Sequence, residues 1–180
     1  MEPRGYILWV GRLEPETRVE ELITAFDDLG ESGLKLVIVG DAPFADAYKA
    51  RLRDISGPGV IFAGYAFGKD YRQLSSHAFA YVQTSPTSGT SPALLDQMGF
   101  GNAVIGRGTP TIREVIADAG LTFDPVDAVA DIARVLRRLI DEPALVANLR
   151  EAGTERIRSA YSWEAVTDAY EDLFQRHTQE

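Results

Sequence analysis

The groups in this sequence best suited to chemistry are a few cations, aromatics and hydroxyls that follow directly on apolar runs. WVGRLEPETRVEELITAF sets Arg12 just past a run that ends at Val10 and just ahead of a stretch with helical spacing. A guanidinium there, beside the N–H groups of a helix start, can clamp a diphosphate through two parallel hydrogen bonds. A surface ion pair with Glu14 or Glu16 is the ordinary alternative. Arg18 is a second cation six residues on, and for it a solvated helix face is the plainer reading. GYAFGKDYRQL gathers Tyr65, Phe67 and Tyr71. Such rings can stack on a nucleobase, although core packing of at least two of the three is the commoner use.

The stretch TSPTSGTSPALLDQMGFG carries more. If a helix starts at Pro92 with Ser91 as its N-cap, the N–H groups of Gly89, Thr90 and Ser91 lie at its positive end. The hydroxyls of Ser88, Thr90 and Ser91 would add donors, and together they make an anion cradle. Asp96, one turn into that helix, can accept hydrogen bonds from ribose hydroxyls, or it is a plain exposed carboxylate. The stretch has neither the GKS or GKT of a Walker loop nor a GxGxxG pattern.

These groups need elements to position them. Short apolar runs alternate with helical periodicity, the mark of a parallel sheet flanked by helices. Strands are predicted over 6–10, 35–39, 60–63, 78–83, 103–105 and 121–123, several of them apolar on both faces. After Pro125 the chain reads as helices over 126–141, 144–161 and 163–174. TIREV fits a capping box with Thr111 at the N-cap and Glu114 three residues later. His77 reads as a structural or solvated residue ahead of a strand. Gly11, Gly40, Gly64 and Gly106 each follow a predicted strand, and Thr84 with Ser85 follows the fourth. Ligands of open parallel sheets bind beyond the carboxyl ends of the strands, where bare backbone lets N–H groups approach phosphate. Tight turns favour glycine too.

Composition narrows the choices. A chain of 180 residues, 45% apolar and 25% charged, supports one domain with a real core. A formal charge of −9 argues against a general nucleic-acid or anionic-membrane surface, so an anionic ligand must be held locally. There is no cysteine for a thiolate site, and the two histidines, His77 and His177, are far apart, which argues against a histidine-rich metal site; no metal is expected. No apolar run is long enough to span a bilayer, and the start lacks the pattern of a secretory signal, so a cytoplasmic location is expected.

The segments VGRLEPE, LKLVIVGDAP, VIFAGY, PALLDQMGFGNAVIG and TPTIREVIADAGLTFDP, with a closing YSW helix, come in an order and spacing that resembles the C-terminal half of retaining GT-B glycosyltransferases of the GT4 family. The likeness covers nearly the whole chain and is nearest to a bacterial branch of polysaccharide-assembly and rhamnosyltransferase-like enzymes. It implies a Rossmann-like, doubly wound, six-stranded parallel sheet, one half of a GT-B fold, with extra C-terminal helices. It further implies that residues 1–180 form a single donor-binding domain for a UDP-, GDP- or dTDP-sugar, with no other cofactor.

In that family a separate N-terminal domain supplies most of the acceptor site, and with a strand starting at residue 6 that domain is expected to be missing from this chain. The resemblance implies that Arg12 and Asp96 stabilise the donor, Arg12 on the diphosphate and Asp96 where a glutamate usually binds ribose. It implies a donor-binding set of Gly11, Arg12, Arg18, Gly40, Tyr65, Ala66, Phe67, Ser88, Gly89, Thr90, Ser91, Leu95 and Asp96. The chain departs from the family at Thr17, where a lysine is frequent, and at Ser88, where a glutamate stands near the donor sugar. The expected partners are the nucleotide sugar, the absent domain and, through it, a glycan or lipid-linked acceptor at the inner membrane. Binding without turnover by this piece is the leading expectation. A non-catalytic nucleotide-binding or interaction module is the alternative from another class, and a sugar-nucleotide epimerase is a third.

Overall fold

The structure, a computed structural model, describes residues 4–86 and 90–177. Six strands, β1 (Tyr6–Val10), β2 (Lys35–Val39), β3 (Val60–Gly64), β4 (Ala80–Gln83), β5 (Ala103–Arg107) and β6 (Leu121–Phe123), form one sheet. Its order is β3-β2-β1-β4-β5-β6, and every pairing is parallel. The chain therefore winds outward from β1 to β3 and then returns to the other side of β1. That reversal between β1 and β4 is the switch point at which doubly wound sheets open a crevice above the strand ends.

The strands are covered on both sides because their side chains alternate between two apolar layers. Ile7, Trp9, Leu36 and Ile38 pack against α1 (Val19–Asp27), α2 (Asp46–Asp54) and α6 (Ala128–Asp141). Tyr6, Leu8, Val37 and Tyr81 pack against α4 (Pro92–Gly99) and α5 (Pro110–Ile116) on the opposite face, where α3 (Gly68–Ser76) also lies through Leu74. In α6, Ile132, Leu136 and Leu139 recur at helical spacing and are fully buried, each side chain contributing about 1.5–3 kcal/mol. The chain closes with α7 (Pro143–Ala160) and α8 (Trp163–His177), the latter carrying Trp163, Tyr170, Leu173 and Phe174 exposed.

Three local expectations change. Strand β4 begins at Ala80 rather than residue 78, because the carbonyls of Ala78 and Phe79 accept from the side chains of Arg4 (2.6 Å) and Arg150 (2.7 Å). Strand β5 continues through Gly106 and Arg107, which pair with Thr122 and Phe123, so Gly106 is not a strand end. A Cβ there would fall 2.4 Å from Ile112 Cγ2, which makes its bareness a packing requirement. The helix after β5 starts two residues early: Thr109 is the N-cap, accepting from the Ile112 N–H, and Thr111 lies inside α5. Thr109-Pro110 repeats the arrangement of Ser91-Pro92, in which proline occupies a position with no N–H to satisfy.

Candidate functional site

Above the carboxyl ends of β1, β2 and β3 lies a crevice of about 420 Å³, within the range of small-molecule sites. Gly11, Arg12, Gly40, Tyr65, Ala66, Phe67 and Asp96 all line it, joined by Asp41, Gly68, Tyr71 and Ala93. Its floor is the close approach of two strand ends. Gly40 adopts φ +129°, and a Cβ on it would fall 1.8 Å from the Gly11 carbonyl oxygen. The N–H groups of Gly11 and Gly40 are taken by Val39 O (3.0 Å) and Gly64 O (2.8 Å). These glycines therefore shape the floor; the expectation that their bare backbone donates to phosphate does not hold for their N–H groups.

Thr84 is also structural rather than open to a ligand. Its hydroxyl accepts from Trp9 Nε1 (2.9 Å) and donates to Thr17 O (2.6 Å), while its carbonyl accepts from Arg107 Nε (2.6 Å). Arg107 is almost wholly buried, ion-paired with Glu21 at the start of α1 and set over the Phe123 ring at 5.1 Å. This network ties β1, β4 and β5 to the turn at Pro15–Thr17, immediately behind Arg12.

On the rim the groups are exposed. Arg12 is 77% exposed and pairs with Glu14 at 3.2 Å, an ion pair weak enough for a stronger anion to replace. Tyr65 and Phe67 are 55% and 75% exposed and stack on each other with ring centroids 5.8 Å apart, so core packing is not their role. Tyr71 behaves differently: half-buried, it meets Phe100 edge-on and donates its hydroxyl to Asp96 Oδ2 at 3.2 Å. Burial first, and then the Asp96 charge, raises its phenol above the usual range, which keeps it a neutral donor.

Asp96 is the outer end of a chain of hydrogen bonds that sequence reasoning missed. Asn102 Nδ2 donates to Gln97 Oε1 (2.7 Å), and Gln97 Nε2 donates to Tyr71 Oη (3.1 Å) and Ser75 Oγ (2.9 Å). Gln97, Asn102 and Ser75 are fully buried, and together they fix α3 against α4. The signal available beforehand was the polar pair Gln97 and Asn102 within an otherwise apolar stretch.

Four expected residues among those described do not line this crevice: Arg18, Thr90, Ser91 and Leu95. Arg18 sits in the left-handed region (φ 53°) and pairs with Glu21 at 3.3 Å. Ser91 spends its hydroxyl as the α4 cap, accepting from the Leu94 N–H and donating to Gln83 Oε1, both at 3.4 Å, so it is not the open donor expected. Leu95 lies on the other side of α4, in a groove with Ile157, Tyr161 and Trp163. Thr90 is exposed, while Ser88 and Gly89 lie outside the described residues. Ala93 nonetheless brings the first turn of α4 into the crevice, where helix N–H groups favour negative charge. Among the described residues no group of three or more His, Asp or Glu could hold a metal ion, and no helix is long and apolar enough to cross a membrane.

A parallel doubly wound sheet with a helix start, an exposed arginine and an aromatic rim around a crevice at its switch point defines the class, a Rossmann-like α/β domain. The particular family follows from sequence: the chain belongs to the glycosyl transferases of group 1, whose profile matches residues 4–142. It is 28% identical over 172 residues to the O-antigen chain mannosyltransferase B of Escherichia coli, covering 91% of this chain and 44% of that protein. It is 25% identical over 177 residues to a glycogen synthase of Mycobacterium tuberculosis, covering 93% of this chain and 42% of that protein. The chain thus spans under half the length of these relatives.

Its fold is one half of the GT-B architecture. It superposes on Anabaena HepE in complex with UDP at a TM-score of 0.83 and 17% identity, over 98% of this chain and 49% of that one. It also matches a structure of the C-terminal domain of a group 1 glycosyl transferase from Francisella tularensis, at a TM-score of 0.73 and 20% identity, over 89% and 88% of the two chains.

Proposed function

We propose that this chain is the donor-binding domain of a retaining glycosyltransferase of bacterial glycan assembly, holding a nucleoside-diphosphate sugar across the crevice. The observation that carries the reading is the convergence of Arg12, the α4 start, Asp96 and the Tyr65/Phe67 pair on one cavity at the switch point. The base rests against Tyr65 and Phe67. Asp96, oriented by Tyr71, accepts from the ribose hydroxyls. Arg12 leaves Glu14 for the diphosphate and, with the first turn of α4, stabilises the charge that builds as the glycosidic bond breaks.

The acceptor is read by a second domain, as in the resemblance, and this chain alone binds donor without transferring sugar. The exposed Trp163, Tyr170, Leu173 and Phe174 of α8 support such a partner domain, since a soluble surface rarely gathers so many large apolar side chains on one helix. Calorimetry with UDP, GDP, dTDP and their sugars tests the reading. Binding lost in Arg12→Ala and in Asp96→Ala is expected. No binding by any of them at millimolar concentration would sink it, and sugar transfer by the isolated chain would remove the need for a second domain.

A further inference from the structure

The polar cluster between α3 and α4 has a direction as well as a set of contacts. Its anchor is the Ser75 carbonyl, which can only accept, so the Asn102 atom 2.7 Å from it is the amide nitrogen Nδ2. The same nitrogen stands 2.7 Å from the Gln97 side chain, whose facing atom is therefore the oxygen Oε1. That turns Gln97 Nε2 towards Ser75 Oγ (2.9 Å) and Tyr71 Oη (3.1 Å) as a donor. The phenol oxygen accepts from Gln97, and its one proton goes to Asp96 Oδ2 at 3.2 Å. At the far end Arg4 Nη1 donates to Asn102 Oδ1 at 3.4 Å. Every link donates towards the crevice, from a guanidinium to a carboxylate.

Gln97, Asn102 and Ser75 are fully buried and none of them lines the crevice, so water does not reset the direction and its effect reaches a ligand only through Tyr71 and Asp96. Both of those line the cavity. Asp96 is exposed, and its Oδ1 has no hydrogen-bond partner among the described residues. An exposed carboxylate that turns freely loses that freedom when it accepts from a ligand. One already pinned through Oδ2 presents Oδ1 at no such cost.

We propose that Gln97 is a positioning residue for ribose recognition: by holding the Tyr71 phenol as a donor, it pins Asp96 Oδ2 and leaves Oδ1 to accept from the sugar hydroxyls of the bound nucleotide. The inference rests on the donor-site reading above and adds to it the buried residue that sets the proton. A residue that merely packed α3 on α4 would serve equally well with its amide turned the other way. Here the turned amide would face the phenol with an oxygen, draw the phenol proton inward and leave two oxygens, those of Tyr71 and Asp96, facing each other across 3.2 Å. The direction of the chain, not its presence, is what the ligand reads.

The test is calorimetry on the whole chain with UDP, GDP and dTDP, each beside the form that lacks its sugar hydroxyls, and with thermal melts to follow folding. The wild-type chain should bind the hydroxyl-bearing form about tenfold more tightly, as a hydrogen bond to a charged group warrants. Gln97→Met, close in volume but without an amide, should lower that ratio to about threefold or less, and Tyr71→Phe should do the same. Gln97→Glu places an acceptor before the phenol and should erase the ratio. The hydroxyl-free forms should bind Gln97→Met within about twofold of wild type, because they do not use Asp96. A purely structural role would lower the melting temperature and weaken both forms together. An unchanged ratio in folded Gln97→Met or in Tyr71→Phe therefore overturns the inference while leaving the donor site intact, and so does a wild-type chain that binds the two forms alike. If the Gln97 variants do not fold, the Tyr71→Phe ratio decides. A folded wild-type chain that binds none of these nucleotides overturns both readings.

Discussion

Two arginines close to the same end of the sheet have opposite fates, and they divide the crevice into a floor and a rim. Arg107 is 4% exposed, bonded to the Thr84 carbonyl, paired with Glu21 and stacked on Phe123. Arg12 is 77% exposed, and its side-chain partner among the described residues is Glu14. On the floor each polar group has a structural partner, so a change there is felt as stability. On the rim the groups are held loosely, so a change there is felt by whatever binds. Position relative to the sheet, rather than residue type, separates architecture from ligand chemistry here.

The sharpest test of the floor is Gly40→Ala. The new Cβ would collide with the Gly11 carbonyl at 1.8 Å, in a backbone conformation (φ +129°) that L side chains rarely adopt. A loss of at least about 3 kcal/mol is expected, read from urea denaturation. Wild-type stability in this variant would show that β1 and β2 do not meet as described.

Next comes Arg107→Met, which leaves Glu21 and the Thr84 carbonyl without their buried partner. A cost of about 3 kcal/mol is expected. The double variant with Glu21→Gln should cost clearly less than the sum of the two single changes, because the two side chains act as one unit. Strict additivity would mean that the pair is decorative. The exposed pair Arg134 and Asp131 is the control, and breaking it should change stability by no more than about 1 kcal/mol.

Thr109→Ala removes the observed cap of α5 and should cost about 1 kcal/mol. Thr111→Ala, inside the helix, should cost less, and thermal melts of the two variants compare the positions directly. The pair also shows what could be read in advance. Strands β1, β2 and β6 were legible to the residue because each is an apolar run bounded by turn-forming residues, and α4 because Ser-Pro announces a capped start. Thr109-Pro110 carried the same signal two residues earlier than the TIREV box and was passed over.

What stayed illegible is long-range. Arg107 looks like a turn residue until Glu21 and Phe123 arrive from elsewhere in the chain. Likewise Tyr71 became an orienting group for Asp96 only when α3 and α4 packed together through Gln97 and Ser75. The crevice residues Gly11, Arg12, Gly40, Tyr65, Phe67 and Asp96 were named from short motifs at strand ends and a helix start, and Ala66 through the family resemblance. Leu95 was misplaced because a helix turns by about 100° per residue, and one step past the crevice faces another groove.

The smallest effect on stability is expected on the rim, and there the comparison is most exposed to failure. Arg12→Ala removes a solvent-screened pair with Glu14, so its unfolding free energy should stay within about 0.5 kcal/mol of wild type. Phe67→Ala should behave alike, since its ring packs on Tyr65 in water rather than in either core layer. Both variants should nonetheless weaken nucleoside-diphosphate binding, Arg12→Ala by about tenfold or more through lost charge-assisted hydrogen bonds and Phe67→Ala by less through lost stacking. Raising salt should shrink the difference between wild type and Arg12→Ala but not that between wild type and Phe67→Ala, because only the first is electrostatic. If Arg12→Ala instead melts the protein as Arg107→Met does, the two arginines serve one architecture, and the crevice loses the cation on which a diphosphate would rest.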